Sequence, residues 1–271
     1  WTRAWSAPGA ADAPEGYTLT TTSGLHSTIV AKKKLPKITF KYRSKIRIES
    51  HLSGYKKDVL AHVSWQDGPA PLAVLFLGMP ARARDDASRL WSQYHDEAGS
   101  HVMVFDSVFH PDFCSATRHG VSGNMEVEAG VMARVIDLAI AQSNESDRIQ
   151  HVRLLGISYG GNVALTINQM ASQSDIGWKP DRVLALSPTL EMRTTAELLD
   201  RWTEEDLDPR PLTDLIPLAT AKPLKPGKHT KLSDSIMRAG IAWFLHGDLE
   251  KTIKANDKLY QLGLLESFKS V

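Results

Sequence analysis

The tightest constraint in this chain is a short segment, His151-Val-Arg-Leu-Leu-Gly156-Ile-Ser158-Tyr-Gly160-Gly161-Asn-Val-Ala-Leu165. An apolar run ends in Gly-x-Ser-x-Gly, and a helical pattern begins at once. Small residues recur by chance, so the five-residue pattern alone means little. The strand before it and the helix after it give it meaning. A serine on so sharp a turn needs neighbours without side chains on either side. Gly156 and Gly160 remove the groups that would collide, and they tolerate a strained backbone. The N-terminus of the following helix also favours negative charge near the Ser158 hydroxyl. Ser158 is therefore read as a nucleophile on an elbow. The competing reading is an ordinary strand–turn–helix crossover with an incidental serine.

The rest of the chain is read outward from that turn. Residues 1–16, rich in Ala, Pro and Gly, form an arm whose Trp1 and Trp5 are expected to pack on the body or face a partner. From Tyr17 to Trp65 the pattern is β, with strands expected at Thr18–Thr22, Ser27–Ala31, Ile38–Tyr42, Lys45–Glu49 and Val59–Val63. Lys32, Lys33, Lys34, Lys37 and Lys41 are read as the solvated face of an edge hairpin, with an anionic surface as the alternative. Leu72–Leu77 is a continuous apolar run, as a strand buried on both faces requires. Helix over 83–98, strand at His101–Phe105, helix over 124–142 capped by Asn124, strand at Val152–Ile157, helix to Ser172 and strand at Arg182–Leu186 follow in alternation. That order predicts an α/β fold: a mostly parallel sheet flanked by helices, preceded by antiparallel strands. Ligands in such sheets sit beyond the carboxyl ends of the strands, where Gly78-Met79, Asp106–Asp112, Ser158 and Ser187–Glu191 fall. After residue 190 the chain reads as a mostly helical, cap-like segment over 191–271, with helices at Thr194–Thr203 and within Leu232–Leu265 and no confident strand. The core domain is assigned to 17–190.

Several function classes are set aside on composition. A net charge of +1 gives no bulk reason to expect a nucleic-acid or acidic-surface partner. No apolar run approaches the ~20 residues a transmembrane helix needs. One cysteine, Cys114, excludes an internal disulfide and is read as a small buried apolar residue. There is no Gly-rich phosphate loop or dinucleotide fingerprint, so no cofactor is expected. His110, Asp112 and His119 are read as lining a substrate entrance; their spacing matches no metal motif, and no metal is expected. The chain starts at Trp1 rather than Met, which fits a processed or exported chain among other origins, and the compartment is left open.

In the order of elements from about residue 57 to 190, and in Gly156-Ile-Ser158-Tyr-Gly160-Gly161-Asn162, the chain resembles the α/β-hydrolase family. The Gly-Gly-Asn ending is most similar to its YheT/EMB8-like branch. The resemblance implies a serine hydrolase acting on a small carboxylic ester, thioester or amide through an acyl-enzyme. It implies that the backbone N–H groups of Tyr159 and Met79 receive the oxyanion, although Leu77-Gly78 stands where the family usually has His-Gly. The family order is Ser, then an acid, then His. After Ser158 only His229 and His246 occur, with Asp248 beside the latter as a weak candidate acid. His246 in Ile241–Asp248 is read as a structural or exposed residue of a cap helix, and the base and acid as absent from this chain. The ending, Leu264–Val271, resembles the family segment before the next core strand, so the final strands are expected to be missing. On that reading a C-terminal fragment or partner covers the sheet edge, and the chain alone is almost inert. The alternative function is a non-catalytic binding protein that uses the same cleft.

Overall fold

The computed structural model describes residues 38–49, 58–79, 81–116, 124–173, 176, 178–189 and 191–204, together with Arg238 and Lys254. The chain divides into two compact units, Lys37–Leu199 with Trp243–Val271 and Trp1–Pro36 with Asp200–Ala242. The sheet and the candidate site belong to the first.

Among the described residues, six strands form one sheet: β1 (Ser44–Ile48), β2 (Val59–Ser64), β3 (Ala70–Phe76), β4 (His101–Val104), β5 (Ile149–Ile157) and β6 (Arg182–Leu186). Their spatial order is β1-β2-β4-β3-β5-β6. β1 pairs with β2, and β2 with β4, in antiparallel fashion. β4, β3, β5 and β6 are parallel neighbours. Among the described residues, the α-helices with defined bounds are α1 (Asp86–Glu97), α2 (Pro111–Ala116), α3 (Met125–Gln142), α4 (Tyr159–Ser172) and α5 (Met192–Glu204). Among the described residues, no helix is long and apolar enough to cross a membrane.

The apolar runs explain the layers. Leu72 through Phe76 are all buried, because β3 sits in the middle of the sheet with helices against both faces. Leu72, Val74 and Phe76 share one core with Met132 and Ile136 of α3 and Val163 and Ile167 of α4. Ala73 and Leu75 point the other way, into a smaller core with Val102, Val104 and Trp91 of α1. Each fully buried aliphatic side chain contributes roughly 1.5–3 kcal/mol relative to an exposed one, so the central strands anchor the fold. β6 differs: its burial alternates between exposed and half-buried, and Leu184 is 45% exposed.

The four strands expected to be parallel neighbours are so, with β5 starting at Ile149. The Asn124 cap is present, its side chain accepting from the Val127 N–H at 3.3 Å. The helix expected from Thr194 spans Met192–Glu204. Three expectations are corrected. α1 begins at Asp86 rather than Ala83, because the Ala83 N–H donates to the Asp106 carboxylate at 2.8 Å and the Arg82 N–H to Asp85 at 2.7 Å. Those side chains hold Ala81–Asp85 as a turn. Ile38–Tyr42 is not a strand, since Arg89 of α1 takes the carbonyls of Phe40 (2.6 Å) and Ile38 (3.2 Å) that a neighbouring strand would need. The stretch through Asp112, read as loop, turns into α2 at Pro111, where a proline's fixed φ suits the first helical position. The strands expected at Thr18–Thr22 and Ser27–Ala31 lie outside the described residues. Of the predicted helical run Leu232–Leu265, Arg238 and Lys254 are described, and both are helical.

Candidate active site

Ser158 caps α4 with φ 54° and ψ −124°. A non-glycine residue there costs about 1–3 kcal/mol and persists only where its surroundings leave no alternative. The surroundings are visible. A Cβ on Gly156 would overlap the Gly160 carbonyl and Gly161 Cα, and one on Gly160 would overlap the Phe76 and Leu77 carbonyls. The first turn of α4 therefore rests directly on the backbone ends of β5 and β3. Gly161 is less tight, its virtual Cβ lying 3.1 Å from Pro188. Hydrogen bonds close the turn: Ser158 N–H donates to the Leu186 carbonyl at 2.9 Å, Gly161 N–H to the Ser158 carbonyl at 2.8 Å, and the Asn162 amide to the Thr189 carbonyl.

The facing wall is the loop after β3. A Cβ on Gly78 would sit 3.2 Å from Ser158 Cβ and 3.7 Å from its Oγ, so this loop lies against the serine side chain. Its course is held by polar contacts. Ala81 N–H donates to the Gly78 carbonyl at 2.9 Å, and Ser107 N–H to the Ala81 carbonyl at 2.9 Å. The Ala83 carbonyl accepts from the Tyr42 hydroxyl at 2.7 Å, and burial pushes that hydroxyl up to about 12. Met79 is half-buried against the larger core. Among the described residues, neither the Met79 nor the Tyr159 N–H donates to another backbone group in the turns and loops. Met79 follows Gly78 in the facing loop, and Tyr159 follows Ser158 in the chain.

Behind the serine, the Tyr159 side chain is fully buried. Its hydroxyl donates to the carboxylate of Glu128, which is 5% exposed, and the Phe109 ring meets it edge-on at 4.5 Å. Burial first, and the Glu128 charge second, push the Tyr159 hydroxyl well above the ordinary phenol range.

His110 does not line an entrance, as its sequence position suggested. It is 3% exposed, and Arg82 Nε donates to its Nε2 at 2.5 Å. Burial holds its pKa below the usual value, with Asp106 pulling the other way. A guanidinium can only donate, so Nε2 accepts from Arg82, while the Asp112 N–H points at Nδ1 at 3.2 Å. Nδ1 faces Asp106 at 4.0 Å and the exposed Asp112 at 3.7 Å. These three groups offer ligand atoms within 4.8 Å of one another. Arg82 already supplies the positive charge beside them, and the cluster acts as a clasp between the two loops. His119, His229, His246 and Asp248 lie outside the described residues, as does the Cys114 side chain. Among the described residues, no histidine bonds the Ser158 hydroxyl. Sequence reasoning missed Glu128, whose only sequence signal is an acidic residue at a core-facing position of a helix, and it missed Asp106 as the holder of the Met79 loop.

No family model and no curated protein sequence matches the chain. Solved structures do. A carboxylesterase from Lactobacillus plantarum is 15% identical over 55% of this chain and 57% of its own, with a TM-score of 0.41. A hyperthermophilic esterase from the archaeon Pyrobaculum calidifontis is 16% identical over 81% and 58%, TM-score 0.41. A predicted CIB-like hydrolase from Thermoplasma acidophilum is 18% identical over 58% and 68%, TM-score 0.39. The match spans a little over half the length of the first two. Its strand order, its parallel core and the helices on both faces make the sheet a mixed α/β sheet, as the sequence predicts.

Proposed function

We propose that the chain is a serine hydrolase acting on a small carboxylic ester, thioester or amide through an acyl-enzyme on Ser158. The observation that carries the reading is the backbone of Ser158, held at positive φ between the end of β5 and the start of α4, with Gly78 against its side chain. A strained strand-to-helix turn presents the hydroxyl at the carboxyl end of the sheet, where ligands of such folds bind. In the reaction, Ser158 Oγ bonds to the substrate carbonyl carbon as its proton passes to a base. The C–O, C–S or C–N bond then breaks, and the leaving group takes that proton. Water repeats the sequence on the acyl-serine, releasing the acid and restoring the hydroxyl. The N–H groups of Tyr159 and Met79 receive the oxyanion, each available because no neighbouring backbone group in the described turns uses it. The reading takes the base and its acid from outside this chain, with His246 and Asp248 as the weak candidates within it. Placement in the YheT/EMB8-like branch rests on Gly160-Gly161-Asn162, each fixed by local packing.

The test is covalent labelling by a fluorophosphonate together with hydrolysis of short aryl esters. Both are expected to depend on Ser158 and to vanish in Ser158→Ala, a loss of several powers of ten. Hydrolysis that survives Ser158→Ala overturns the assignment. The absence of a histidine on the Ser158 hydroxyl among the described residues favours a second reading, a binding protein using the same cleft. A chain that binds an acyl ligand reversibly, with neither labelling nor turnover, supports that reading.

A further inference from the structure

We infer that Glu128 is a positioning residue for the Ser158–Tyr159 turn, acting through its hydrogen bond to the Tyr159 hydroxyl. The inference rests on the hydrolase reading in one respect, that the Tyr159 N–H is an oxyanion donor. A carboxylate buried in an apolar core is costly unless it is paired and hydrogen-bonded. Glu128 lies in the first turn of α3, where the helix N-terminus favours its charge, and its own N–H donates to the Asn124 carbonyl at 2.9 Å. Ala129, Met132 and Ala133, which follow on the same helix, are all buried. A leucine would fill the position without the desolvation penalty, so hydrophobic packing does not explain a glutamate.

The geometry of Tyr159 supplies a reason. It is the first residue of α4, directly after the strained serine. The Tyr159 N–H, like the other N–H groups of a first helical turn, has no carbonyl within the helix to bind. Its direction is set by the rotation of the Ser158–Tyr159 peptide, and that rotation follows where the Tyr159 ring is held. The ring is clamped twice, by the edge of Phe109 at 4.5 Å and, at its far end, by Glu128. The glycines on either side restrict the turn by sterics, but they leave the ring's direction free. The carboxylate closes that freedom from a different helix. α3 thereby reads the position of the catalytic turn, and a loss of the bond lets the Tyr159 peptide rock while the serine stays in place.

The experiment compares Glu128→Gln, Glu128→Leu, Tyr159→Phe and the double variant Glu128→Leu/Tyr159→Phe in the full chain. Glutamine keeps an acceptor for the tyrosine hydroxyl and removes the charge; leucine removes both. On short aryl esters, Glu128→Leu and Tyr159→Phe are expected to lower kcat by roughly 10–100-fold with KM within about 3-fold, less than the 10²–10³ of losing an oxyanion donor outright. Glu128→Gln is expected to stay within about 3-fold of the parent. The double variant is expected to fall no further than the worse single one, since the two groups act as a unit. Glu128→Leu with an unchanged kcat, Glu128→Gln as damaging as Glu128→Leu, or losses that multiply in the double variant each overturn the proposal. Persistence of hydrolysis in Ser158→Ala is a failure of the hydrolase reading instead. A second readout is independent of turnover: the amide resonances of Ser158–Gly161 in ¹⁵N spectra. In Glu128→Leu they are expected to shift and broaden while those of β3 stay in place, and in Glu128→Gln they are expected to overlay the parent. Unmoved Ser158 and Tyr159 resonances in a folded Glu128→Leu overturn the positioning role whether or not esters are cleaved. Should Glu128→Leu fail to fold, Tyr159→Phe gives the same comparison with less change in volume.

Discussion

Two turns meet at Ser158, and they are built by opposite means. The β5–α4 turn is made rigid by what is missing: Gly156 and Gly160 have no side chains, and the backbone of the neighbouring strand occupies the space. The β3–α1 loop is longer and is held by what is added: the Asp106 carboxylate on the Ala83 N–H, the Tyr42 hydroxyl on the Ala83 carbonyl, and Arg82 against His110. Steric exclusion has no tolerance, whereas polar contacts can be removed one at a time. A change at the first turn should therefore break the fold, and a change at the second should loosen the site while leaving the sheet intact.

The largest expected effect is at Gly160. Its missing Cβ points into the Phe76 carbonyl of β3, a largely buried strand, and the atoms it would meet are backbone, which leaves nothing flexible to yield. Gly160→Ala is expected to destabilise by more than about 4 kcal/mol, in the range reserved for overpacking or strain at special positions. Urea denaturation measures this directly. An unfolding free energy within about 1 kcal/mol of the parent would show that the close approach of α4 to β3 is not as described, and the contrast between the turns would go with it. Gly161→Ala is the milder control, because Pro188 at 3.1 Å is a side-chain contact that can shift by a few tenths of an ångström.

Sequence legibility follows the same division. The tight turn was readable because sterics allow only glycine at Gly156 and Gly160, so identity and position carry the geometry together. The parallel core was readable from Leu72–Leu77 and Val152–Ile157, whose apolar runs have no other stable place. The loop was not readable. Asp106 and Arg82 are ordinary loop residues in sequence, and their partners Ala83 and His110 are fixed only once β3 and β4 lie side by side. For the same reason α1 starts three residues later than its sequence pattern suggests, and Ile38–Tyr42 is not the strand its pattern suggests: the competing bonds come from Asp106 and Arg89, distant in the chain. A loop at the carboxyl end of a strand suggests an entrance for His110, and burial by tertiary packing reverses that. Glu128 carried too weak a signal to notice, since one acidic residue on an otherwise apolar helix face also fits a solvated edge.

An intermediate effect is expected at Asp106. Asp106→Ala removes the acceptor of the Ala83 N–H and the carboxylate facing His110 Nδ1. The stability loss should be about 1–3 kcal/mol, the usual consequence of leaving a part-buried donor unsatisfied. If the loop carries an oxyanion donor, kcat on a short aryl ester should fall more than stability alone explains, with the enzyme still folded at assay temperature. Asp106→Asn keeps an acceptor and should recover most of both. Equal loss in the alanine and asparagine variants would mean that charge, and not the bond to Ala83, holds the loop.

The smallest effect comes from acid, and it separates the two turns without mutation. Burial lowers the pKa of His110 below the ordinary value of 6.5, offset in part by Asp106 and Asp112 and reinforced by Arg82. His62, 5% exposed, is lowered in the same way, with Asp106 again opposing. A histidine whose folded pKa is depressed binds fewer protons when folded than when unfolded. Stability is therefore full above about pH 6.5 and declines as the pH falls below it, by at most about 1.4 kcal/mol per pH unit for each such group. Both histidines face the loop side: His110 is clasped to Arg82, and His62 stands against Tyr42 at 5.2 Å between ring centroids. The tight turn has no histidine of its own. Lowering the pH from 7.5 to 5.5 should therefore disturb the amide resonances of Ala81–Asp85 before those of Ser158–Gly161, while Gln replacements at His62 and His110 flatten the dependence. Simultaneous disturbance of both turns would mean that the loop and the elbow respond as one unit, and the distinction between steric and polar construction would lose its mechanical content.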